Sequence, residues 1–180
     1  MNTLIVYAGK YGFTEKCAGM LKSELQAPAD LVNLRKVKSV DLSRYDCVII
    51  GGSVYIGRIR KEVTEFCAKN MNQLTGKKIG LFICGMADGE DADKELHTNF
   101  PPELQKIAAA MEDFGGEFNF DRMNFFDRTI VKKIVKATSN RSNMQDHKIH
   151  EDGQGYAEIQ LQPDCPPDQR SGSIPHIPVF

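Results

Sequence analysis

The chain has 180 residues, of which 41% are hydrophobic and 26% are charged, values that are ordinary for one folded globular domain. Its 23 basic and 24 acidic residues leave a net charge of −1, which argues against a nucleic-acid partner, since such a partner favours a basic surface. The N-terminus runs directly into an apolar strand, and no apolar run is long enough to span a bilayer. The sequence therefore predicts a cytoplasmic protein without a signal peptide.

The five cysteines are an odd number and contain no C-x-x-C pair. Four of them have apolar neighbours in predicted strands or helices, so we interpret them as buried thiols in a reducing compartment. His147 and His150 have a spacing of three residues but lie in a polar stretch, and no metal site is predicted.

Strand and helix patterns alternate along the first two thirds of the chain. Apolar runs predict strands over 4–7, 30–34, 46–50 and 78–84, and the alternation at 117–120 predicts a fifth. Helices are predicted from Thr14, as the N-cap, to about Leu25, over about 60–71, and from Pro101 through Met111 to a stop at Gly115 and Gly116.

This alternation predicts a doubly wound, five-stranded parallel α/β sheet with helices on both faces. We place that domain at residues 1–142. Five of the eight prolines fall in the last 18 residues, so 143–180 is predicted to be a polar, proline-rich segment that is partly disordered. Ligands of such sheets bind beyond the carboxyl ends of the strands, which directs attention to three glycine-rich loops.

The first loop joins a buried strand to the start of a helix. Unpaired N–H groups and the positive dipole end of a helix attract phosphate, and glycines allow the backbone to approach it closely. The candidate phosphate site consists of Gly9, Lys10, Tyr11, Gly12, Phe13 and Thr14. The alternative is an ordinary strand-to-helix turn capped by Thr14. The loop matches neither a P-loop nor a G-x-G-x-x-G fingerprint.

Residues 6–16 resemble the phosphate-loop region of flavodoxins, with departures at Lys10, Tyr11 and Phe13, where many flavodoxins carry small or amide residues. These departures, together with the segment 115–126, resemble a subgroup that includes the menaquinone-dependent protoporphyrinogen IX dehydrogenases. The resemblance covers roughly residues 1–140. It implies a flavodoxin-like fold that binds one FMN without a covalent bond.

The resemblance also implies that the other two loops border the isoalloxazine ring. Their candidate cofactor-binding residues are Ser53, Val54, Tyr55, Ile56 and Gly57 in one loop, and Gly85, Met86, Ala87 and Asp88 in the other. Tyr55 is expected to stack on the ring and Gly57 to turn a carbonyl toward the flavin N5, the alternative being a glycine-rich turn with Tyr55 half exposed. Cys84 is interpreted as a packed thiol rather than a redox partner. The acidic run 90–95 is interpreted as a solvated loop rather than a metal site.

Because a flavin carries the electrons itself, no catalytic triad or acid–base pair is expected. The resemblance implies an FMN-dependent oxidoreductase of haem biosynthesis that takes electrons from a porphyrinogen-type substrate and passes them to a quinone. The alternative is a soluble flavodoxin that carries electrons between redox partner proteins. Such carriers use a strongly acidic surface, which a pI near 6.4 fits poorly. A reductase that uses NAD(P)H would need a nicotinamide site, and none is recognisable.

The segment 123–136 has the pattern of a basic amphipathic helix. Phe126, Ile130 and Ile134 stand one turn apart, and Arg128 and Lys132 are among the basic residues on other positions of the same helix. Such a helix suits a peripheral contact with the inner face of a membrane, where a quinone is reachable. The alternative is a helix that docks on the sheet with its lysines in water.

Overall fold

The computed structural model describes residues 1–25, 27–118, 141–142, 144–145 and 149. The strands are β1 Thr3–Ala8, β2 Ala29–Asn33, β3 Cys47–Tyr55, β4 Arg58–Ile59, β5 Lys78–Cys84, β6 Ala108–Asp113, β7 Glu117–Phe118 and β8 Arg141–Ser142. The helices are α1 Phe13–Glu24, α2 Lys61–Leu74, α3 Glu90–Asn99 and α4 Pro102–Ile107. In this part of the chain, no helix has the length and apolar character that crossing a membrane requires.

Five parallel strands form the main sheet, in the order β2-β1-β3-β5-β6. The short β4 folds back antiparallel onto the end of β3, and β7 pairs with β8 in a separate two-stranded sheet. β2 lies on one side of β1, whereas β3, β5 and β6 follow one another on its other side. The topological switch point of the sheet is therefore between β1 and β3. The prediction of a doubly wound, five-stranded parallel sheet is therefore confirmed.

Alternating side chains of the central strands enter two separate cores. On β1, Leu4 and Val6 belong to the core that α2, α3 and α4 cover, whereas Ile5 and Tyr7 belong to the core that α1 covers. These four side chains are at most 3% exposed. Continuous apolar runs without polar alternation are the pattern expected for strands that are buried on both faces. The predicted burial of cysteines also holds for Cys17, Cys47, Cys67 and Cys84.

The fifth strand of the sheet is not the predicted one. The helix predicted through Met111 ends at Ile107, and residues 108–113 continue as β6 alongside β5. Alanines at 108–110 favour a helix in isolation, but here the backbone hydrogen bonds of the open edge of β5 outweigh that weak preference. Of the predicted strand at 117–120, the described residues 117 and 118 form β7, which lies outside the main sheet.

Three further local predictions were wrong. The acidic run predicted as a loop forms α3, whose first turn carries Glu90, Asp91 and Asp93, a placement that the helix dipole favours. Helix α1 begins at Phe13 with Gly12 as its N-cap, so Thr14 lies inside the first turn and does not cap it. The second glycine-rich loop is mostly strand, because β3 continues to Tyr55.

Several predictions fall on residues outside the described ranges. They comprise the amphipathic helix at 123–136, the histidines at 147 and 150, and the proline-rich segment from 151 onward. The boundary between the domain and that segment stays a prediction.

Two glycine substitutions test how tightly the sheet packs. A Cβ on Gly51 would lie 2.2 Å from the buried ring of Phe82, so Gly51→Ala must displace that ring. We expect it to lower the free energy of unfolding by about 1–3 kcal/mol, as overpacking does. Gly19 in α1 has open space at its Cβ position, and Gly19→Ala should raise the free energy of unfolding by about 0.5–1 kcal/mol. Urea unfolding of both variants measures the two effects, and equal effects would contradict the packing described for Gly51.

Candidate functional site

An open cavity lies at the carboxyl ends of the parallel strands and encloses roughly 640 Å³, part of it open to solvent. Nine of the predicted site residues line it: Lys10, Tyr11, Phe13, Thr14, Ser53, Val54, Tyr55, Gly85 and Met86. Four other residues complete the wall: Arg60, Cys84, Gly116 and Glu117. The three loops predicted from the sequence thus meet at one cavity.

Six predicted residues do not line the cavity. They are Gly9, Gly12, Ile56, Gly57, Ala87 and Asp88. Gly9 and Gly12 belong to the first loop. Ile56 and Gly57 form the tip of the β3–β4 hairpin, and Asp88 is exposed in the segment after β5.

The first loop turns sharply into α1. Gly12 has a φ of 97°, in the left-handed region, and its carbonyl accepts the first helical hydrogen bond, from Lys16 at 3.0 Å. The side chain of Thr14 folds over Gly9, where a Cβ would lie 2.8 Å from the Thr14 hydroxyl oxygen. The guanidinium of Arg35 donates to the Gly9 carbonyl at 3.1 Å. The loop is therefore held from the helix side and from the segment after β2.

The β3–β4 hairpin carries the only non-glycine residue with positive φ in the described part of the chain. That residue is Ile56, with a φ of 53° and 63% of its surface exposed. Behind it, the Asn99 side chain of α3 accepts from the Ile59 N–H at 2.8 Å and donates to the Gly57 carbonyl at 3.2 Å. The sequence predicts that the Gly57 carbonyl turns toward the flavin N5. In the structure this carbonyl accepts a hydrogen bond from the Asn99 side chain.

The third loop contacts a fourth segment, which the sequence does not predict to lie at the site. Gly116 approaches Gly85 so closely that a Cβ on Gly116 would lie 2.3 Å from the Gly85 carbonyl oxygen. Phe114, just before it, donates its N–H to the Ile83 carbonyl at 3.0 Å and packs against Phe82 with ring centroids 5.1 Å apart. The segment after β6 thus forms one side of the cavity.

Cys84 reaches the cavity from the end of β5 but is only 3% exposed. Burial raises the pKa of the Cys84 thiol well above its usual value, and a hydrogen bond with the Cys17 thiol adds to the shift. A hydrogen bond with the Thr14 hydroxyl acts in the opposite direction. A thiol with a raised pKa is a poor nucleophile near neutral pH, which agrees with the interpretation of Cys84 as a packed residue.

Basic side chains gather on the β1–β3 side of the cavity. The Arg60 guanidinium lies 3.3 Å from Oε1 of Glu62, and Nε of Arg35 lies 3.9 Å from the same oxygen. Burial acts to raise the pKa of Glu62, but a hydrogen bond from its own backbone N–H, the hydrogen bond from Arg60 and the charges of both arginines lower it below its usual range. Glu62 is therefore an ionised group that holds Arg60 in place.

Acidic side chains gather on the β5–β6 side. The Glu95 carboxylate lies next to Gly85, and Oδ1 of the buried Asp113 accepts from the Gly115 N–H at 3.0 Å. Burial raises the pKa of Glu95, and the nearby charges of Asp113 and Asp91 add to that shift. Within the described ranges, no group of three or more His, Cys, Asp or Glu side chains is arranged to hold a metal ion.

Sequence reasoning missed Arg60, Gly116 and Glu117. Arg60 follows the last glycine of the second loop by three residues. A charged residue at that place is what an ordinary exposed helix start would show. The Gly115–Gly116 pair was interpreted as a helix end because residues 108–113 were assigned to that helix. A strand assignment there would have made the pair a fourth glycine-rich loop at the same edge of the sheet.

Comparison with known proteins agrees with this architecture. The model of the family described as flavodoxin domain matches residues 4–145, most of the chain. The chain belongs to the flavodoxin-domain family. The predicted resemblance is thereby confirmed, and this flavodoxin domain can be compared with individual relatives.

Two curated relatives carry the same name, "Protoporphyrinogen IX dehydrogenase [quinone]". The Escherichia coli K12 protein is 23% identical over 165 residues, which cover 87% of this chain and 91% of that protein. The Leishmania major protein is 21% identical over 164 residues, which cover 83% of this chain and 68% of that protein. Among solved structures, oxidised flavodoxin 2 from Bacillus cereus superposes with a TM-score of 0.53 at 19% identity, covering 88% of this chain and 99% of that one. The structural likeness supports the fold alone.

The raised pKa of Glu95 leads to a prediction about stability. A carboxyl whose pKa is higher in the folded state stabilises the fold at pH values below its unfolded pKa of about 4.3, and that contribution is lost as the pH rises through the folded pKa. Glu95→Gln should therefore raise the melting temperature at pH 7.5, and the difference from the unsubstituted chain should shrink at pH 4.5. Thermal melts at both pH values measure this.

Glu65→Gln on the exposed face of α2 is the matched control and should change the melting temperature little at either pH. A Glu95→Gln variant that melts lower at pH 7.5 would contradict the role given to burial.

Proposed function

We propose that this flavodoxin domain binds one FMN and acts as an oxidoreductase that transfers electrons from a porphyrinogen-type substrate to a quinone. The observation that carries the proposal is the cavity at the carboxyl ends of the strands, in a chain of this family. The names of the Escherichia coli and Leishmania major relatives supply the substrate class and the acceptor.

The residues of the cavity suit the two ends of FMN. Helix α1 directs its N-terminus to the first loop, and Arg60 adds a cation whose buried Nε has no hydrogen-bond partner among the described residues. An anion is the group that such a donor set favours. On the other side, the backbones of Gly85 and Gly116 lie close together beside the Met86 side chain, and the flat edge of an aromatic ring can pack against this wall.

When bound, the isoalloxazine supplies reversible one- and two-electron chemistry. The protein's part is to bind, to orient and to restrict access by water. Tyr55 and Met86 line the cavity from opposite loops and provide the broad apolar surfaces that a ring system packs against. Asn99 fixes the hairpin that carries Tyr55, so α3 helps to set the width of the cavity.

A second function, that of a soluble electron carrier, is favoured by one observation. Helix α3 presents the exposed carboxylates Glu90, Asp91 and Asp93 in its first turn, beside the end of β5. A local acidic surface of this kind attracts basic redox partners even where the net charge is small. The names of the curated relatives favour the enzyme.

The experiment that separates the two functions is anaerobic mixing of the FMN-loaded protein with protoporphyrinogen IX while the visible flavin band is followed. We expect prompt bleaching, and sustained turnover when a menaquinone analogue is added. A flavin that stays oxidised, but that a ferredoxin- or pyridine-nucleotide-linked reductase can reduce, would instead identify a carrier. A chain that fails to bind FMN would contradict both.

The Thr14 hydroxyl gives a second test, because it is the one aliphatic hydroxyl of the first loop. Thr14→Val removes that donor while keeping the shape of the side chain, and we expect weaker FMN binding, by about 1 kcal/mol or somewhat more. Thr14→Ser keeps the hydroxyl and is the control. Titration of each apoprotein with FMN measures the difference, and an unchanged affinity of the valine variant would remove Thr14 from the phosphate site.

A further inference from the structure

We propose that Arg60 binds the phosphate of the cofactor, so that in this chain a cation from the start of α2 adds to the few side-chain donors of the first loop. The inference rests on the proposed binding of FMN and goes beyond it by naming a phosphate ligand from a different part of the sequence.

The first loop is poor in neutral donors. Between Gly9 and Thr14 it offers the Thr14 hydroxyl and the phenol of Tyr11, and its other side chains are Lys10 and Phe13. Thr14 is 2% exposed, and its hydroxyl contacts the Cys84 thiol. A phosphate monoester carries a charge of about −1.5 to −2 at neutral pH and has three acceptor oxygens. The backbone N–H groups at the start of α1 can donate to these oxygens, but the side chains of the loop add few donors to them.

The fold brings Arg60 to the cavity that this loop lines. Arg60 lines the same cavity as Lys10, Tyr11 and Thr14, although about 50 residues separate it from them in the sequence. Its backbone N–H donates to the Ser53 carbonyl at 3.1 Å, which fixes the residue against the end of β3. The side chain is 27% exposed, so it is neither a core residue nor a freely solvated surface arginine.

The guanidinium is held in one orientation but is not saturated. One terminal nitrogen lies 3.3 Å from Oε1 of Glu62, whereas Nε is buried without a hydrogen-bond partner in the described part of the chain. Glu62 is also 3.9 Å from Arg35, whose guanidinium donates to the Gly9 carbonyl at 3.1 Å. The ion-pair cluster of Arg35, Glu62 and Arg60 therefore touches the first loop at one end and the cavity at the other.

The charges of this region fit a phosphate. Arg35 and Arg60 outnumber the Glu62 carboxylate that links them, so this cluster has a net positive charge, which attracts a phosphate anion. Arginine presents its donors in a planar fork that pairs with two phosphate oxygens at once, which a lysine does not do. The acidic residues near the cavity lie on its β5–β6 side: Glu95 is next to Gly85, Asp113 ends β6, and Glu117 lines the wall after Gly116.

Riboflavin, which lacks the phosphate, makes the test specific. We would titrate apoprotein of the full chain with FMN and with riboflavin, and compare Arg60→Gln, Arg60→Lys and the unsubstituted chain. Arg60→Gln should weaken FMN binding about ten- to hundredfold, the effect expected for loss of a hydrogen bond to a charged group, with riboflavin affinity changed less than about twofold. Arg60→Lys should retain part of the FMN affinity, because the charge remains without the fork.

Arg58→Gln is the matched control. Arg58 is exposed, lies in β4 two residues before Arg60 and does not line the cavity, so both affinities should stay within about twofold of the unsubstituted values. Circular dichroism and melting temperatures show whether each variant is folded. If Arg60→Gln does not fold, the FMN and riboflavin affinities of Arg60→Lys test the proposal.

The outcomes separate this inference from the function on which it rests. An equal loss of FMN and riboflavin affinity in Arg60→Gln would overturn the phosphate assignment, because the guanidinium would then act on the ring or on the shape of the site. Unchanged FMN affinity would overturn it too, while leaving the proposed function intact. An unsubstituted chain that binds neither molecule would overturn the proposed function and, with it, the role of Arg60.

Discussion

The parallel, in-register pairing of β1, β3 and β5 is the constraint on which the site depends. Ala8 pairs with Gly52, and Ser53 pairs with Cys84, so the three strands end side by side at one edge of the sheet. Loops that are far apart in the sequence consequently start within about 10 Å of one another. Glycine at position 52 lets α2 and β4 pack closely on this edge, since a Cβ there would lie 2.8 Å from Cγ2 of Val63 and 3.0 Å from Cγ1 of Ile59.

The same pairing divides the cavity into two electrostatic sides. Arginines 35 and 60 collect near β1 and β3, where the ionised Glu62 links them. Carboxylates collect near β5 and β6, and burial raises the pKa of one of them, Glu95. A ligand with an anionic end and a neutral aromatic end would be oriented by such a field before it made specific contacts. FMN, the proposed cofactor, has this asymmetry, because its phosphate is anionic and its isoalloxazine ring is a neutral aromatic group.

Helix α3 supports the site from behind. The Asn99 side chain makes hydrogen bonds to the Gly57 carbonyl and to the Ile59 N–H. The Glu95 carboxylate lies next to Gly85. The hairpin tip at Ile56 has a left-handed backbone that costs an ordinary β-branched residue roughly 1–2 kcal/mol. The contacts of Asn99 offset part of that strain. Two walls of the cavity therefore depend on a helix that contributes no side chain to its lining.

The sequence by itself determined the central strands, the three glycine-rich loops and the flavodoxin resemblance, because continuous apolar runs and glycines carry those signals locally. Tertiary structure decided the rest. Residues 108–113 became a strand because the edge of β5 required a partner, against the helix preference of alanine. Arg60 became part of the cavity because β3 folds back through β4 into α2, a path that no local pattern encodes. Contacts between distant segments depend on strand register, which the residues of a single segment do not specify.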